Sequence, residues 1–186
     1  MGSPRSVPGS STCRPSVRSR QPASPHARAS SVIGSELFGS FDRPPGDPNG
    51  PGGWWILLEP ELHLGDDVLV PDFAGWRRET MPILPNVAGF RQPPQWVLEV
   101  VAPATARIDR VRKLPIYARE GVAHAWLVDP LARTLEVYRL EGARWLLAAT
   151  HDGDEVARAE PFDAIELALA RWWMPAAEAL PAGEGA

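Results

Sequence analysis

The chain has 186 residues, which is enough for one domain of about 130–150 residues with tails and too few for two ordinary domains. Hydrophobic residues make up 44% and charged residues 23%, the balance of a globular protein rather than a fibrous or disordered one. The longest apolar run, Trp54–Leu58, is far shorter than the ~20 residues of a membrane-spanning helix. The single cysteine, Cys13, excludes an internal disulfide and a cysteine-based zinc site. These features predict a cytoplasmic protein with no membrane partner.

The charge is unevenly distributed along the chain. The first 35 residues hold five arginines and no acid, so the rest carries 14 basic against 23 acidic residues. Proteins that bind nucleic acid indiscriminately usually have a broad basic surface. Any phosphate binding by this acidic body is therefore expected to be local or assisted by a metal.

The two ends of the chain differ in composition from its middle. Residues 1–25 are rich in serine, proline and arginine, and they predict a disordered tail, with a transit peptide as the less favoured alternative. The folded domain is expected over residues 26–175, followed by a mobile tail over 176–186.

The sequence of the first half of the domain predicts one helix and three strands. Apolar spacing indicates a helix over His26–Phe41, and the proline- and glycine-rich stretch Arg43–Gly53 indicates a loop. The predicted strands are Trp54–Leu58, Val68–Trp76 and Gln95–Val101.

The second half predicts a central helix, three more strands and a closing helix. The central helix covers Ala104–Glu120, and Pro115 either kinks it or marks the first turn of a second helical piece. The remaining elements are the strand Ala123–Val128, a hairpin of Thr134–Leu140 with Arg144–Thr150, and the helix Ile165–Trp173. This order predicts an α+β (mixed α/β) fold in which helices flank a mixed sheet.

Two acids stand in or beside apolar strands. Glu99 interrupts Trp96–Val101 and shares a strand face with Val97, and Asp72 directly follows Pro71. A carboxylate among apolar residues is costly to bury unless something compensates it, although an isolated strand acid is more often exposed or paired with a cation. Two such acids on neighbouring strands predict a site for Mg²⁺ or Mn²⁺, with the backbone carbonyl of Val100 as a further ligand.

One basic residue differs in type from all the others. Lys113 is the only lysine beside eighteen arginines. Its compact ammonium group suits stabilisation of a scissile phosphate or of an attacking water, whereas the alternative is an ordinary exposed lysine. The same predicted helix carries Arg107, Arg110, Arg112 and Arg119, so it either faces phosphates or is a solvated helix face.

Other familiar sites are not expected. The four histidines have no metal-ligand spacing, and a strand residue such as His124 is expected to be packed and hydrogen-bonded. The eight tryptophans favour core packing over base stacking. No GxxxxGK[ST] loop or GxSxG elbow occurs, so no nucleotide cofactor is expected.

Three blocks carry a family resemblance: PDFAGW, WVLEVVAPATA and DRVRKLPIYAREGVAHAWLVDP. In order and spacing they resemble the Uma-two family of restriction endonucleases, within the PD-(D/E)XK nuclease superfamily, over about residues 26–173. The resemblance implies a restriction endonuclease-like core and Mg²⁺-dependent cleavage of DNA. It also implies that Asp72 and Glu99 bind the metal and that Lys113 is the catalytic lysine of the following helix.

Further positions match the family with less defined roles. Asp109 and Tyr117 lie one turn before and one turn after Lys113, and Glu59 matches a recurrent acid that is expected to face the site. The family's usual serine is replaced by Ala102. Family members also begin with a helix and an acid-bearing strand, where this chain has its Ser/Pro/Arg segment, which puts activity in question.

Three hypotheses follow from these residues and this resemblance. The first is a homodimeric Mg²⁺-dependent endodeoxyribonuclease, since cutting both strands of a duplex needs two sites. The second is a catalytically inactive module that keeps the nuclease fold and binds DNA or protein. The third is a structural protein in which Asp72, Glu99 and Lys113 form only a buried ion network.

Overall fold

The computed structural model describes residues 24–101 and 109–175. Within them, two α-helices, a π-helical turn, ten strands and a 3₁₀ turn follow one another along the chain. In chain order these are α1 (Ser24–Phe41), β1 (Trp54–Leu58), β2 (Leu62–Leu64), β3 (Asp67–Leu69), β4 (Phe73–Arg77), β5 (Trp96–Val100), the π-helical turn (Asp109–Lys113), α2 (Leu114–Arg119), β6 (His124–Asp129), β7 (Thr134–Glu141), β8 (Arg144–Asp152), β9 (Val156–Ala157), β10 (Leu167–Ala168) and the 3₁₀ turn (Leu169–Arg171).

A six-stranded mixed sheet organises these elements, in the order β1-β4-β5-β6-β7-β8. Strands β5 and β6 pair in parallel, and every other neighbouring pair in this sheet is antiparallel. Parallel neighbours need a long crossover between them, and the crossover from β5 to β6 contains α2. The predicted mixed α/β fold class is therefore confirmed.

The first face of the sheet is covered by α1 and by the segment around Phe162. Helix α1 buries Ile33, Leu37 and Phe41 against this face, as its apolar spacing predicts. The Phe162 ring lies 4.6–5.5 Å, centroid to centroid, from the rings of four aromatic residues of α1, β1, β5 and β6: Phe41, Trp54, Trp96 and Trp126. The prediction that the tryptophans pack in the core is confirmed for Trp54, Trp96 and Trp126.

The second face of the sheet is covered by α2. Leu114 and Tyr117 pack there against Val97 of β5 and Leu127 of β6. Because side chains alternate along a strand, Glu99 belongs to this second face together with Val97. The central strand thus presents its one acid to the helix that carries the lysine.

Two predicted elements are wrong. The stretch Val68–Trp76 is not one strand but two, because Pro71 lacks the N–H that a continuous ladder requires: β3 pairs with β2, and β4 enters the main sheet. The predicted helix Ile165–Trp173 is instead β10 followed by the 3₁₀ turn. A short apolar run of this kind does not distinguish strand from helix by its periodicity.

The central helix divides as one of the two alternatives for Pro115 predicts. A π-helical turn, Asp109–Lys113, precedes α2, and Pro115 lies in the first turn of α2, where a missing N–H is tolerated. The other predicted strands are confirmed to within about two residues. Helix α1 begins at Ser24, whereas the predicted tails, residues 1–23 and 176–186, lie outside the described residues, as do residues 104–108.

No helix in the described ranges combines the length and the apolar character needed to cross a bilayer.

Removal of the Phe162 ring is expected to destabilise the protein more than removal of an exposed side chain. Phe162→Ala leaves a cavity among four aromatic rings, and we expect a loss of about 3–5 kcal/mol in the free energy of unfolding. Urea denaturation followed by tryptophan fluorescence measures it. Ile83→Ala is the control, because Ile83 is 82% exposed and its truncation should change stability by less than about 0.5 kcal/mol. Equal effects of the two substitutions would contradict the packing described above.

Candidate active site

Glu99 lies in the middle of the sheet with its carboxylate out of water. Its exposed fraction is 2%, and among residues 24–101 and 109–175 no other charged side chain is buried to this degree. The Lys113 Nζ donates a hydrogen bond of 2.7 Å to Oε2, and the Tyr117 hydroxyl donates one of 2.8 Å to Oε1. A buried carboxylate needs such partners, because an uncompensated buried charge costs several kcal/mol.

The helical segment after β5 explains why these two donors converge on one carboxylate. Lys113 ends the π-helical turn and Tyr117 lies in α2, so the two residues are four apart and share one side of the helix. Tyr117 is fully buried, whereas the Lys113 side chain keeps about a fifth of its surface exposed. The lysine therefore links the buried acid to the surface.

Asp72 lies level with Glu99 on the neighbouring strand. Phe73 of β4 is opposite Leu98 of β5 in an antiparallel ladder, and Asp72 directly precedes Phe73. The Asp72 Oδ2 accepts a hydrogen bond of 2.7 Å from the Val100 N–H. The Asp72 carboxylate is thus fixed to the residue that follows Glu99.

Lys113 also approaches the segment that leads to Asp72. Its Nζ lies 3.4 Å from the Val70 carbonyl oxygen, in addition to its contact with Glu99. Asp72, Glu99 and Lys113, which are separated by up to 41 positions in the sequence, therefore meet at the end of β5. Their catalytic and metal-binding roles stay predictions.

The three further family positions, Glu59, Asp109 and Tyr117, differ in how they are placed relative to the site. Tyr117 contacts Glu99 directly, as described above. Glu59 is exposed, has a positive φ of 47°, and donates its backbone N–H to the Asp72 carbonyl at 2.9 Å. It is therefore a backbone neighbour of the site. The Asp109 side chain lies outside the described part of the chain.

His26 is a contact of the site that the sequence did not reveal. Its Nε2 lies 3.2 Å from the Asp72 Oδ1, and it reaches the acid from α1, on the first face of the sheet. The pair is 46 residues apart, and an isolated histidine at the start of a helix gives no pattern that points to a site.

His124, by contrast, is packed as predicted, but its Nδ1 has no hydrogen-bond partner in the described structure. Burial lowers the pKa of His124.

The basic character of the central helix is largely neutralised. Arg110 contacts Glu136 at 2.8 Å, Arg119 contacts Asp67 at 2.8 Å, and Lys113 contacts Glu99. Arg112 is exposed, and Arg107 lies outside the described residues. Of the two sequence alternatives, these ion pairs fit a solvated face better than a helix devoted to phosphate.

A second acid on the same sheet face resembles Glu99 in its contacts. Glu99 is opposite Leu127, which is opposite Glu136, so the two acids occupy one row across β5, β6 and β7. Glu136 accepts hydrogen bonds of 2.8 Å from Arg110 and from the Tyr138 hydroxyl, and burial together with the contact to Glu136 raises the pKa of Tyr138 to about 12. The residues opposite Glu136 on its two neighbouring strands are Leu127 and Thr150 rather than an acid, which makes Glu136 a matched control.

The donor atoms at the end of β5 suit a hard cation. Asp72 and Glu99 supply four carboxylate oxygens, and each oxygen can accept more than one contact. Among the described residues, no cluster of three or more His, Cys, Asp or Glu side chains could hold a metal. The donor set predicted at the end of β5 differs from such a cluster, because the sequence predicts only two side chains, Asp72 and Glu99, and a main-chain carbonyl as the third ligand.

The fold of the chain is similar to that of a solved structure. A crystal structure described as a "putative nuclease belonging to DUF820", from Anabaena variabilis, is similar with a TM-score of 0.65 over 83% of each chain, at 20% sequence identity. This similarity shows a shared fold.

A family model described as "Uma2: Putative restriction endonuclease" matches residues 20–170. The chain therefore belongs to the Uma2 family, as the sequence blocks indicated. No curated protein matches the chain.

Loss of the Tyr117 hydroxyl should destabilise the protein by removing a hydrogen bond to the buried Glu99 carboxylate. We expect Tyr117→Phe to cost about 1.5–3 kcal/mol in the free energy of unfolding, the usual range for a hydrogen bond to a charged group. Tyr138→Phe is the control, and it should cost less because Glu136 is more exposed than Glu99, with 22% of its side chain accessible. Urea denaturation compares the two, and a larger loss in Tyr138→Phe would contradict this account.

Proposed function

We propose that this chain is a Mg²⁺-dependent endodeoxyribonuclease that hydrolyses phosphodiester bonds of DNA, with Mn²⁺ as an alternative metal. The observation that carries the proposal is the buried Glu99 carboxylate, held by Lys113 and Tyr117 beside Asp72. Membership of the Uma2 family supports a nuclease. A protein that needed only a stable core would gain little from a charge in its central strand.

Asp72, Glu99 and the Val100 carbonyl are the groups proposed to hold the cation. When bound, Mg²⁺ supplies a Lewis acid that polarises the scissile phosphate and makes water more acidic. The exposed part of Lys113 connects the buried Glu99 carboxylate to the surface, where the substrate would bind.

The residues of the chain have separate tasks in the proposed reaction. Lys113 places a compact positive charge where it can hold the attacking water or a non-bridging phosphate oxygen. Tyr117 keeps the Glu99 carboxylate in one orientation, because its hydroxyl is fixed by burial. Asp72 is oriented by the Val100 N–H. Preorganised groups of this kind need no rearrangement at the moment of reaction.

The proposed substrate is duplex DNA, bound by two copies of the chain. One copy presents one candidate site, and cleavage of both strands requires two. The acidic body favours local contacts over a broad electrostatic surface, since most cations of the central helix are paired with acids.

The second candidate function is a non-catalytic nuclease fold that binds DNA or protein. Each Glu99 oxygen already has a hydrogen-bond donor, so the acid is compensated without any cation. The same observation fits the third hypothesis, a structural protein in which Asp72, Glu99 and Lys113 form only an ion network. The two functions differ in whether substitution of Glu99 changes cleavage.

Glu99→Gln should abolish cleavage with little change in shape. Neutralisation of a metal-binding carboxylate removes several kcal/mol of transition-state stabilisation, so we expect nicking of supercoiled plasmid in Mg²⁺ or Mn²⁺ to fall at least about 100-fold. Glu136→Gln is the control, since it changes an acid with the same kinds of partner on the same sheet face, and its activity should stay within about twofold. Equal activity of wild type and Glu99→Gln would exclude this site, and no activity in wild type would favour the non-catalytic alternative.

Lys113→Arg tests whether an ammonium group, rather than a positive charge alone, is required. The planar guanidinium is larger and holds its donors in a fixed fork, so we expect at least about a tenfold fall in nicking rate. Arg112→Lys makes the reverse exchange at the adjacent exposed position and should leave the rate unchanged. A Lys113→Arg protein as active as wild type would show that Lys113 is an ordinary ion-pair partner.

A further inference from the structure

The Asp72 carboxylate has contacts on both of its oxygens, one from the backbone of the neighbouring strand β5 and one from helix α1. The Val100 N–H is 2.7 Å from Oδ2, and the His26 Nε2 is 3.2 Å from Oδ1. We infer that His26 is a positioning residue, which holds the Asp72 carboxylate in the orientation that binds the cation. This inference rests on the proposed function.

The backbone of α1 brings the imidazole to this place. Ala29, Ile33 and Leu37 have no exposed surface, so the helix is fixed against the first face of the sheet. His26 lies one turn before Ala29, at the end of the helix nearest Asp72, and its side chain is 35% exposed. The imidazole therefore approaches the acid from the face opposite to α2, which carries Lys113.

The chemistry of the two groups determines which of them donates. An ionised carboxylate only accepts hydrogen bonds, so an Nε2 that faces Oδ1 serves as a donor when it carries its hydrogen. With Val100 on one oxygen and His26 on the other, rotation of the carboxylate about its last bond is restricted. Further lone pairs of both oxygens stay accessible to a cation, because a carboxylate accepts about four contacts.

The arrangement around Asp72 parallels that around Glu99. Among the described residues, each carboxylate oxygen has a polar contact: the Val100 N–H and the His26 Nε2 for Asp72, and Lys113 and Tyr117 for Glu99. Groups that hydrogen-bond to metal ligands commonly fix ligand orientation, and their loss weakens metal affinity about 10–100-fold. If the contact between His26 and Asp72 were merely structural, its loss would leave metal affinity unchanged. Stability would also change little, because a partly exposed pair adds little to a helix that is already anchored by buried residues.

Titration calorimetry with MnCl₂ tests this inference on the full chain. We expect His26→Ala to weaken Mn²⁺ binding about tenfold or more. His26→Gln should stay within about threefold of wild type, because its amide nitrogen is as many bonds from Cβ as Nε2 is. His26→Asn, whose shorter amide cannot reach Oδ1, should resemble His26→Ala and replaces it if the alanine variant fails to fold.

The controls separate positioning from stability. His151→Gln changes a histidine that contacts Glu155, away from Asp72, and should bind Mn²⁺ as wild type does. The midpoint of thermal unfolding should change little in all four variants. Unchanged affinity in both His26→Ala and His26→Asn would overturn the inference while leaving the proposed function intact. The inference would also be overturned if His26→Gln weakened Mn²⁺ binding as much as His26→Ala does, or if the loss of affinity followed a lowered unfolding midpoint. A wild type that takes up no Mn²⁺ would overturn the proposed function and the inference together.

Discussion

The burial of one negative charge in the central strand is the constraint on which the rest of this structure depends. Glu99 is 2% exposed, between Leu98 and Val100 in the strand that joins the antiparallel and parallel parts of the sheet. A carboxylate in this position is tolerated only with donors on its oxygens. Lys113 and Tyr117 supply them, and the packing of α2 on the second face brings both to the same acid.

The two faces of the sheet contribute to the site in different ways. The second face carries the helix with the lysine and the tyrosine, whereas the first face carries α1, which brings His26 to Asp72. The strands between them set the register that makes Asp72 level with Glu99. The aromatic cluster around Phe162 holds α1, β1, β5 and β6 together, so the geometry of the site is supported by buried aromatic contacts.

Much of the fold and part of the site could be predicted from the sequence. Local patterns sufficed for α1, β1, β5 and the β7–β8 hairpin, because apolar periodicity and turn residues are local signals. The acid in an apolar strand and the solitary lysine were visible for the same reason, and the structure places them 2.7 Å apart. The single strand predicted over Val68–Trp76 and the helix predicted over Ile165–Trp173 were mistaken, since short apolar runs take their structure from tertiary pairing. The contact between His26 and Asp72 could not be predicted, because it depends on how α1 crosses the sheet.

We propose that the two acids at the end of β5 share one divalent cation. A crystal of the protein grown with Mn²⁺ and measured at the manganese absorption edge tests this proposal. We expect an anomalous peak in contact with the carboxylates of both Asp72 and Glu99, at about 2.0–2.4 Å from their oxygens. A map with no peak at the end of β5, while Lys113 and Tyr117 still hold Glu99, would contradict it.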